Sequence, residues 1–244
     1  MQLDHVLREI GFPKDMKMAL SNLPTSPNAE YSRAMKRIEK KEEKKAMAVL
    51  SWVYHVFQPL NVNELRQAKS IERGQTKFDK EIDLPDEQKL IDTCEGLVKC
   101  EKDGIVQFAH STIREYLRQN YENRLLSHTD IAWTCVTCLG FEKFDELSIW
   151  DINNRSNPMM FGRYAAQYWA DHTRRADRSD EIQAHLIDLL RRGKKRRSME
   201  EIHARIHGAS LLHVVAGSGL VSVCKWLLKS SVEFSSYVSR AGLV

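Results

Sequence analysis

His110 and Ser111 stand where an extended apolar run, Val106 to Ala109, gives way to a helical one, with Ile113, Tyr116 and Leu117 at i, i+3 and i+4. A histidine and a hydroxyl at the start of a helix are groups that can hold an anion. The helix N-terminus attracts negative charge, and an imidazole N–H donates to a phosphate oxygen. The structural use of the same histidine is to cap or pack in the strand-to-helix corner. Thr112 and Glu115, three apart, have capping-box spacing.

Other chemistry-bearing residues exclude more than they offer. The only Gly-Lys pair, Gly193-Lys194, lacks the earlier glycine and following Ser/Thr of a phosphate-cradling P-loop. No Gly-x-Ser-x-Gly elbow is present, so nucleophilic catalysis has no local signature. Cys135 and Cys138 lack a second ligand pair and fall within an apolar helical stripe, which makes them core residues; structural zinc needs four ligands. His203 and His207, at i,i+4 without the His-Glu-x-x-His order, read as part of a solvated helix. We expect a chain that is not an enzyme and that holds no cofactor and no metal.

The elements that must position His110 form a recognisable order. Ala46, Val49, Leu50, Val53 and Phe57 make a helical stripe that stops at Pro59. Asn61 to Ala68 predicts a short second helix, with Asn61 and Glu64 at capping spacing, and Pro85 opens a third carrying Leu90, Ile91, Cys94 and Leu97. Asp103-Gly104, between Val98–Lys102 and Ile105–Ala109, predicts a hairpin with a two-residue turn. Three helices, a hairpin and a further helix make a winged-helix unit.

A winged helix raises the possibility of a DNA reader, but charge argues against it. The third helix carries Asp86, Glu87, Asp92 and Glu95 against Lys89, and the wing charges nearly cancel, so phosphates would be repelled. The overall charge of +4, from 37 basic and 33 acidic residues, is too small to indicate nucleic acid. No apolar run approaches the roughly 18 residues of a membrane span, and five cysteines form no disulfide framework. The expectation is a cytoplasmic protein with reduced thiols and no membrane contact.

Further along, Ile131, Cys135, Cys138 and Leu139 hold helical spacing, and Phe161, Tyr164, Ala165, Tyr168, Trp169 and His172 hold it for three turns. That aromatic face lacks an interleaved basic stripe, so it reads as packing and not as a platform for bases. The run Arg191–Arg197 reads as a solvated linker that could also serve nuclear import or bind polyanions. Ser210 to Leu228 resembles one ankyrin repeat: His213, Gly219 and the Leu227-Leu228 pair occupy the pattern's positions, while Leu211 replaces its proline and Val215 its first alanine. Ser231 to Val244 roughly tracks a loop toward a second repeat.

Taken in order, Leu23-Pro24 with Tyr31 and Arg37-Ile38, Trp52 with Pro59-Leu60 and Glu64-Leu65, His110-Ser111 with Glu115-Tyr116-Leu117, Tyr164-Ala165-Ala166 with Trp169 and His172, and the ankyrin-like start resemble fungal NACHT–ankyrin proteins of the STAND class of signalling NTPases. Pro27 departs from that pattern, which has leucine there. The resemblance implies a mainly α chain in four parts: residues 1–44 the helical tail of a nucleotidase module, 45–127 a winged helix, 128–208 a helical connector, and 209–244 a partial ankyrin region. It implies a non-catalytic regulatory fragment that couples an upstream nucleotidase core to protein partners of an ankyrin surface. In related receptors a histidine at the strand-to-helix junction approaches ADP phosphates, and His110 holds the equivalent place, flanked by Ala109 where that signature has methionine and by Ser111 where it has aspartate. The alternatives are a DNA-binding winged helix and a free-standing ankyrin adaptor.

Overall fold

Helix α1 (Pro27–Lys40) begins where the Ser26 side chain accepts from the Ala29 amide, with Pro27 at the first helical position, where its missing N–H costs nothing. Proline at 27 thus starts the helix. The computed structural model describes residues 26–77, 84–142, 160–177 and 179–240; the first part of the helical tail expected over residues 1–44 lies outside them. Eleven α-helices and one two-stranded antiparallel sheet occupy the described residues, the mainly helical architecture that the patterning predicts.

Helix α2 (Glu43–His55) is buried nearly all round, Ala46 to Val53 being continuously enclosed. Helix α3 (Val62–Ser70) carries the expected capping box: the Asn61 side chain accepts from the Glu64 amide at 2.9 Å and Glu64 accepts from the Asn61 amide at 2.8 Å. Helix α4 (Glu87–Asp92) is capped by Asp86, so Pro85 lies just outside it. Glu95 and Gly96, at φ 47° and 82°, then reverse the chain into strand β1 (Val98–Cys100). Glu95 is held in that left-handed turn by Arg37 of α1 and by Lys41, just past its end, at 2.9 and 2.6 Å.

Strand β2 (Val106–Phe108) pairs with β1 in the register Val98↔Phe108 and Cys100↔Val106. The connection is a three-residue loop and not the two-residue turn that Asp-Gly predicts. Glu101 still pairs across it, its amide bonding to the Ile105 carbonyl, and the Gly104 amide closes onto Glu101 with Gly104 at φ 85°. The Asp103 carboxylate accepts from the Ile105 amide and so favours the longer loop. Leu60 to Val62 lie along the outer edge of β2 through Val106 N–H to Leu60 and Val62 N–H to Gly104. Helix α5 (Thr112–Tyr121) follows and buries Ile113, Tyr116 and Leu117.

The connector begins with α6 (His128–Gly140), opened by a second capping box between Ser127 and Asp130. Helix α7 (Phe161–Arg174) packs along it and buries the aromatic face. Helices α8 (Ser179–Leu190) and α9 (Gly193–His207) complete this layer. The basic run Arg191–Arg197 is therefore not a linker: most of it forms the first turns of α9. Lys195 is 2% exposed, its ammonium donating to the Phe141 carbonyl at 2.8 Å, because a long aliphatic stem can be enclosed while its head finds an acceptor. His203 is likewise not solvated but 0% exposed, while His207 stays outside.

Helix α10 (Leu211–Gly217), a turn with Gly219 at φ 69°, and α11 (Val221–Arg240) end the described chain as a helix-turn-helix. Residues Ser231 to Arg240 continue α11 and form no loop, since no glycine or proline interrupts them before Arg240. Val223 and Leu227 are buried and pack back on the connector, with the Ser222 amide donating to Gln183 of α8 at 3.0 Å. One apolar core runs through all of these elements.

Candidate functional site

The expected pair at the strand-to-helix junction is present and exposed, but its internal wiring differs from the expectation. Thr112 and Glu115 form no capping box: Glu115 bonds to Arg118 and Gln119 instead. His110 takes over the cap, its Nδ1 lying 3.3 Å from the Thr112 amide and 2.8 Å from the Thr112 hydroxyl. An amide can only donate, so Nδ1 is the acceptor and the proton resides on Nε2. Tyr31 of α1 reaches the same threonine at 2.8 Å, which ties α1 into the junction. The ring thus presents Nε2–H outward, and Ser111 is exposed beside it without a side-chain capping bond. Capping and anion donation use opposite ring nitrogens and are compatible.

A second cluster, which periodicity alone did not reveal, lies between the winged-helix elements and the connector. His55 ends α2, His128 opens α6 and His172 sits near the end of α7. The Phe57 amide donates to the Tyr164 hydroxyl at 3.2 Å, and that hydroxyl lies 2.8 Å from His172 Nε2. On the other side of the ring, His172 Nδ1 meets His128 Nδ1 at 2.9 Å, so one of these two nitrogens carries the shared proton. The His55 and His128 rings are 4.6 Å apart, and Arg175 lies over Phe57 at 4.7 Å.

Burial, followed by the charge of the neighbouring histidines, pushes His172 down to about 3 and His55 down to about 4. Burial and then Arg175 lower His128. These rings are neutral hydrogen-bonding parts at physiological pH. Their spacing along the sequence, 55, 128 and 172, leaves no local signal.

The seam has one further polar tie: the Phe161 amide, at the start of α7, donates to Gln67 of α3 at 2.7 Å. Within the winged helix, the Leu126 amide donates to the buried Ser51 hydroxyl at 2.8 Å. Trp52 meets Phe161 edge-on at 5.4 Å. The two parts share a core and a hydrogen-bond network.

The remaining predicted residues are dispersed. His213 is exposed and bonds to its own cap, Ser210, at 2.7 Å; Leu227 is inward and Leu228, 50% exposed, outward. Cys135 and Cys138 are fully enclosed, and burial raises both thiols, so they stay protonated. Among the described residues no group of three or more His, Cys, Asp or Glu could hold a metal ion, and no helix is long and apolar enough to cross a membrane.

Residues 33–131, from within α1 into α6, match the GPI inositol-deacylase winged helix domain. These residues are a winged helix domain. A weaker likeness joins the chain to azaphilone pigments biosynthesis cluster protein L of Monascus ruber, 25% identical over 175 residues. That match covers 64% of this chain and 37% of the relative, so the chain spans about a third of that protein's length. No solved structure matches. The winged helix domain therefore includes most of α1, consistent with the Tyr31–Thr112 and Arg37–Glu95 contacts.

Proposed function

We propose that this chain is a non-catalytic regulatory and interaction segment of a STAND-type signalling NTPase, with its winged helix coupling the state of a nucleotide-binding core to a recognition surface beyond α11. The observation that carries the reading is the seam: the Gln67–Phe161 and Phe57–Tyr164 hydrogen bonds and the His55–His128 ring contact join the winged helix to the connector, so a displacement of one is transmitted to the other. Such a unit can shift a two-state equilibrium if a ligand favours one arrangement. His110 would face the phosphates of a nucleotide held by a core in cis, with Nε2–H as donor and Ser111 beside it. The helix-turn-helix of α10 and α11 would begin an ankyrin array with protein partners, in a cytoplasmic setting.

A DNA-reading winged helix is the alternative, and the acidic helix α4 speaks against it. Two measurements test the proposal. The purified chain with ATP and magnesium should release phosphate at the buffer rate, because the P-loop amides and lysine that hold the phosphates are not in its sequence. Selection on random duplexes at physiological salt should return no preferred site. Sustained turnover, or one preferred duplex, overturns the reading.

A further inference from the structure

A cleft of about 250 Å³ opens on the winged-helix–connector seam, and His110 is not among its lining residues. Its walls come from both sides. The winged-helix side contributes Trp52, Lys69 and Arg73, and the connector side contributes Asp130, Trp133 and Thr134. Cavities of about 150 Å³ take a benzene ring, so this one has room for one or two fused rings with a small polar group.

The lining specifies the chemistry further. Trp52, Ile71, Leu126 and Trp133 make an apolar floor, on which Trp52 and Trp133 show only 2% and 8% of their surface. The Arg73 guanidinium lies 3.6 Å over the Trp133 ring, which orients it at the cleft while its N–H groups remain able to donate. Lys69 is half-buried, and its ammonium has no hydrogen-bond or ion-pair partner among the described residues. Burial, the largest influence on it, pulls its pKa down, so an anion beside it would restore what desolvation removes. The one carboxylate on the lining, Asp130, accepts from the Ser127 amide and hydroxyl at 2.8 and 2.9 Å through a single oxygen, Oδ2. Arg73 also touches Glu181, but at 3.8 Å and in solvent, a contact that an incoming carboxylate can replace.

We propose that this cleft binds a small aromatic carboxylate, its ring on the apolar floor and its carboxylate on Lys69 and Arg73. The ligand would contact both parts and stiffen the seam. The inference does not depend on the signalling reading, since it concerns binding to the isolated chain.

Isothermal titration of the full chain with 2-naphthoate and with its neutral counterpart 2-naphthamide tests it. Naphthoate should bind saturably at one site and at least tenfold tighter than the amide. Lys69→Met should abolish that preference while leaving the thermal midpoint within a few degrees, and Thr134→Phe, which fills the cleft, should weaken both probes. No saturable naphthoate binding up to millimolar concentration, or equal affinity for the two probes on the unaltered chain, overturns the proposal. Binding that survives Lys69→Met with its charge preference intact also overturns it.

Discussion

The indole Nε1–H of Trp169 donates to Nε2 of His203 at 2.6 Å, in a site where both residues are almost wholly enclosed. That bond leaves His203 Nδ1 as a donor, and it meets the Met199 carbonyl at 2.6 Å. Both ring nitrogens are satisfied, so α7 and α9 are joined by a complete polar contact within an apolar layer. Trp169→Phe should destabilise the chain by about 1–3 kcal/mol from the nitrogen left unpaired, with a further loss from the smaller ring. Urea unfolding reads this directly, and an unchanged midpoint would mean the bond contributes nothing.

Acid should weaken the fold well before carboxylates titrate. His203 and His55, both depressed to about 4, and His172, depressed to about 3, are neutral in the folded chain. Unfolded, they titrate near 6.5. Between these values the unfolded state binds more protons, so stability is full above about pH 6.5 and falls progressively as pH drops toward 4. The combined effect is on the order of several kcal/mol. Urea midpoints at pH 7.5 and 5.0 should differ clearly, and His172→Gln with His203→Gln should narrow the difference even though both variants start less stable.

The basic run should separate into two kinds of residue. Replacing exposed Arg191, Arg192, Lys194 and Arg197 with glutamine should leave the melting temperature almost unchanged and remove any weak, salt-sensitive DNA retention. Lys195→Met should do the reverse: it strips the Phe141 carbonyl of its ammonium donor, at a cost of about 1–3 kcal/mol. Equal effects of the two variants would contradict the burial of Lys195.

Asn61→Ala removes one half of the α3 capping box and should cost about 1 kcal/mol. Because α3 also carries Gln67 and Lys69, hydrogen exchange should quicken at the first turn of α3 before it quickens at the seam. Simultaneous loss at both would show that the box anchors the whole helix.

His110→Ala should leave the fold intact with at most about 1 kcal/mol lost, since the ring is exposed and contributes one capping acceptor. In a longer protein carrying a nucleotide-binding core, the same change should alter signalling. A collapse of thermal stability in this chain would assign His110 a purely structural role.

Local rules made much of this fold legible. The Asn61–Glu64 box, the 3.6-residue stripe from Phe161 to His172 and the turn glycine at Gly104 each act through neighbours in sequence, and each stands where the pattern places it. What escaped the sequence depended on distant partners. Charge along Arg191–Arg197 cannot tell that Phe141 offers Lys195 a carbonyl, and the spacing of His203 cannot tell that Trp169 faces it. Thr112 has the right partner at the right distance for a box, yet Tyr31, 81 residues earlier, and His110 claim its hydroxyl. The candidate site follows the same division: His110 was readable at its junction, whereas the chain through Tyr164, His172 and His128 exists only once α6 and α7 meet.

The bond from the Phe161 amide to Gln67 bears on how such proteins can be recombined. An α-helix needs its first amides answered, and α7 has one of them answered by a side chain belonging to the winged helix. A connector grafted onto a foreign winged helix without a glutamine at that place would start with a bare helix end in an apolar setting. Productive exchange between relatives should therefore cut the chain outside the span from α3 to α7, not at the boundary that the winged-helix match alone would mark.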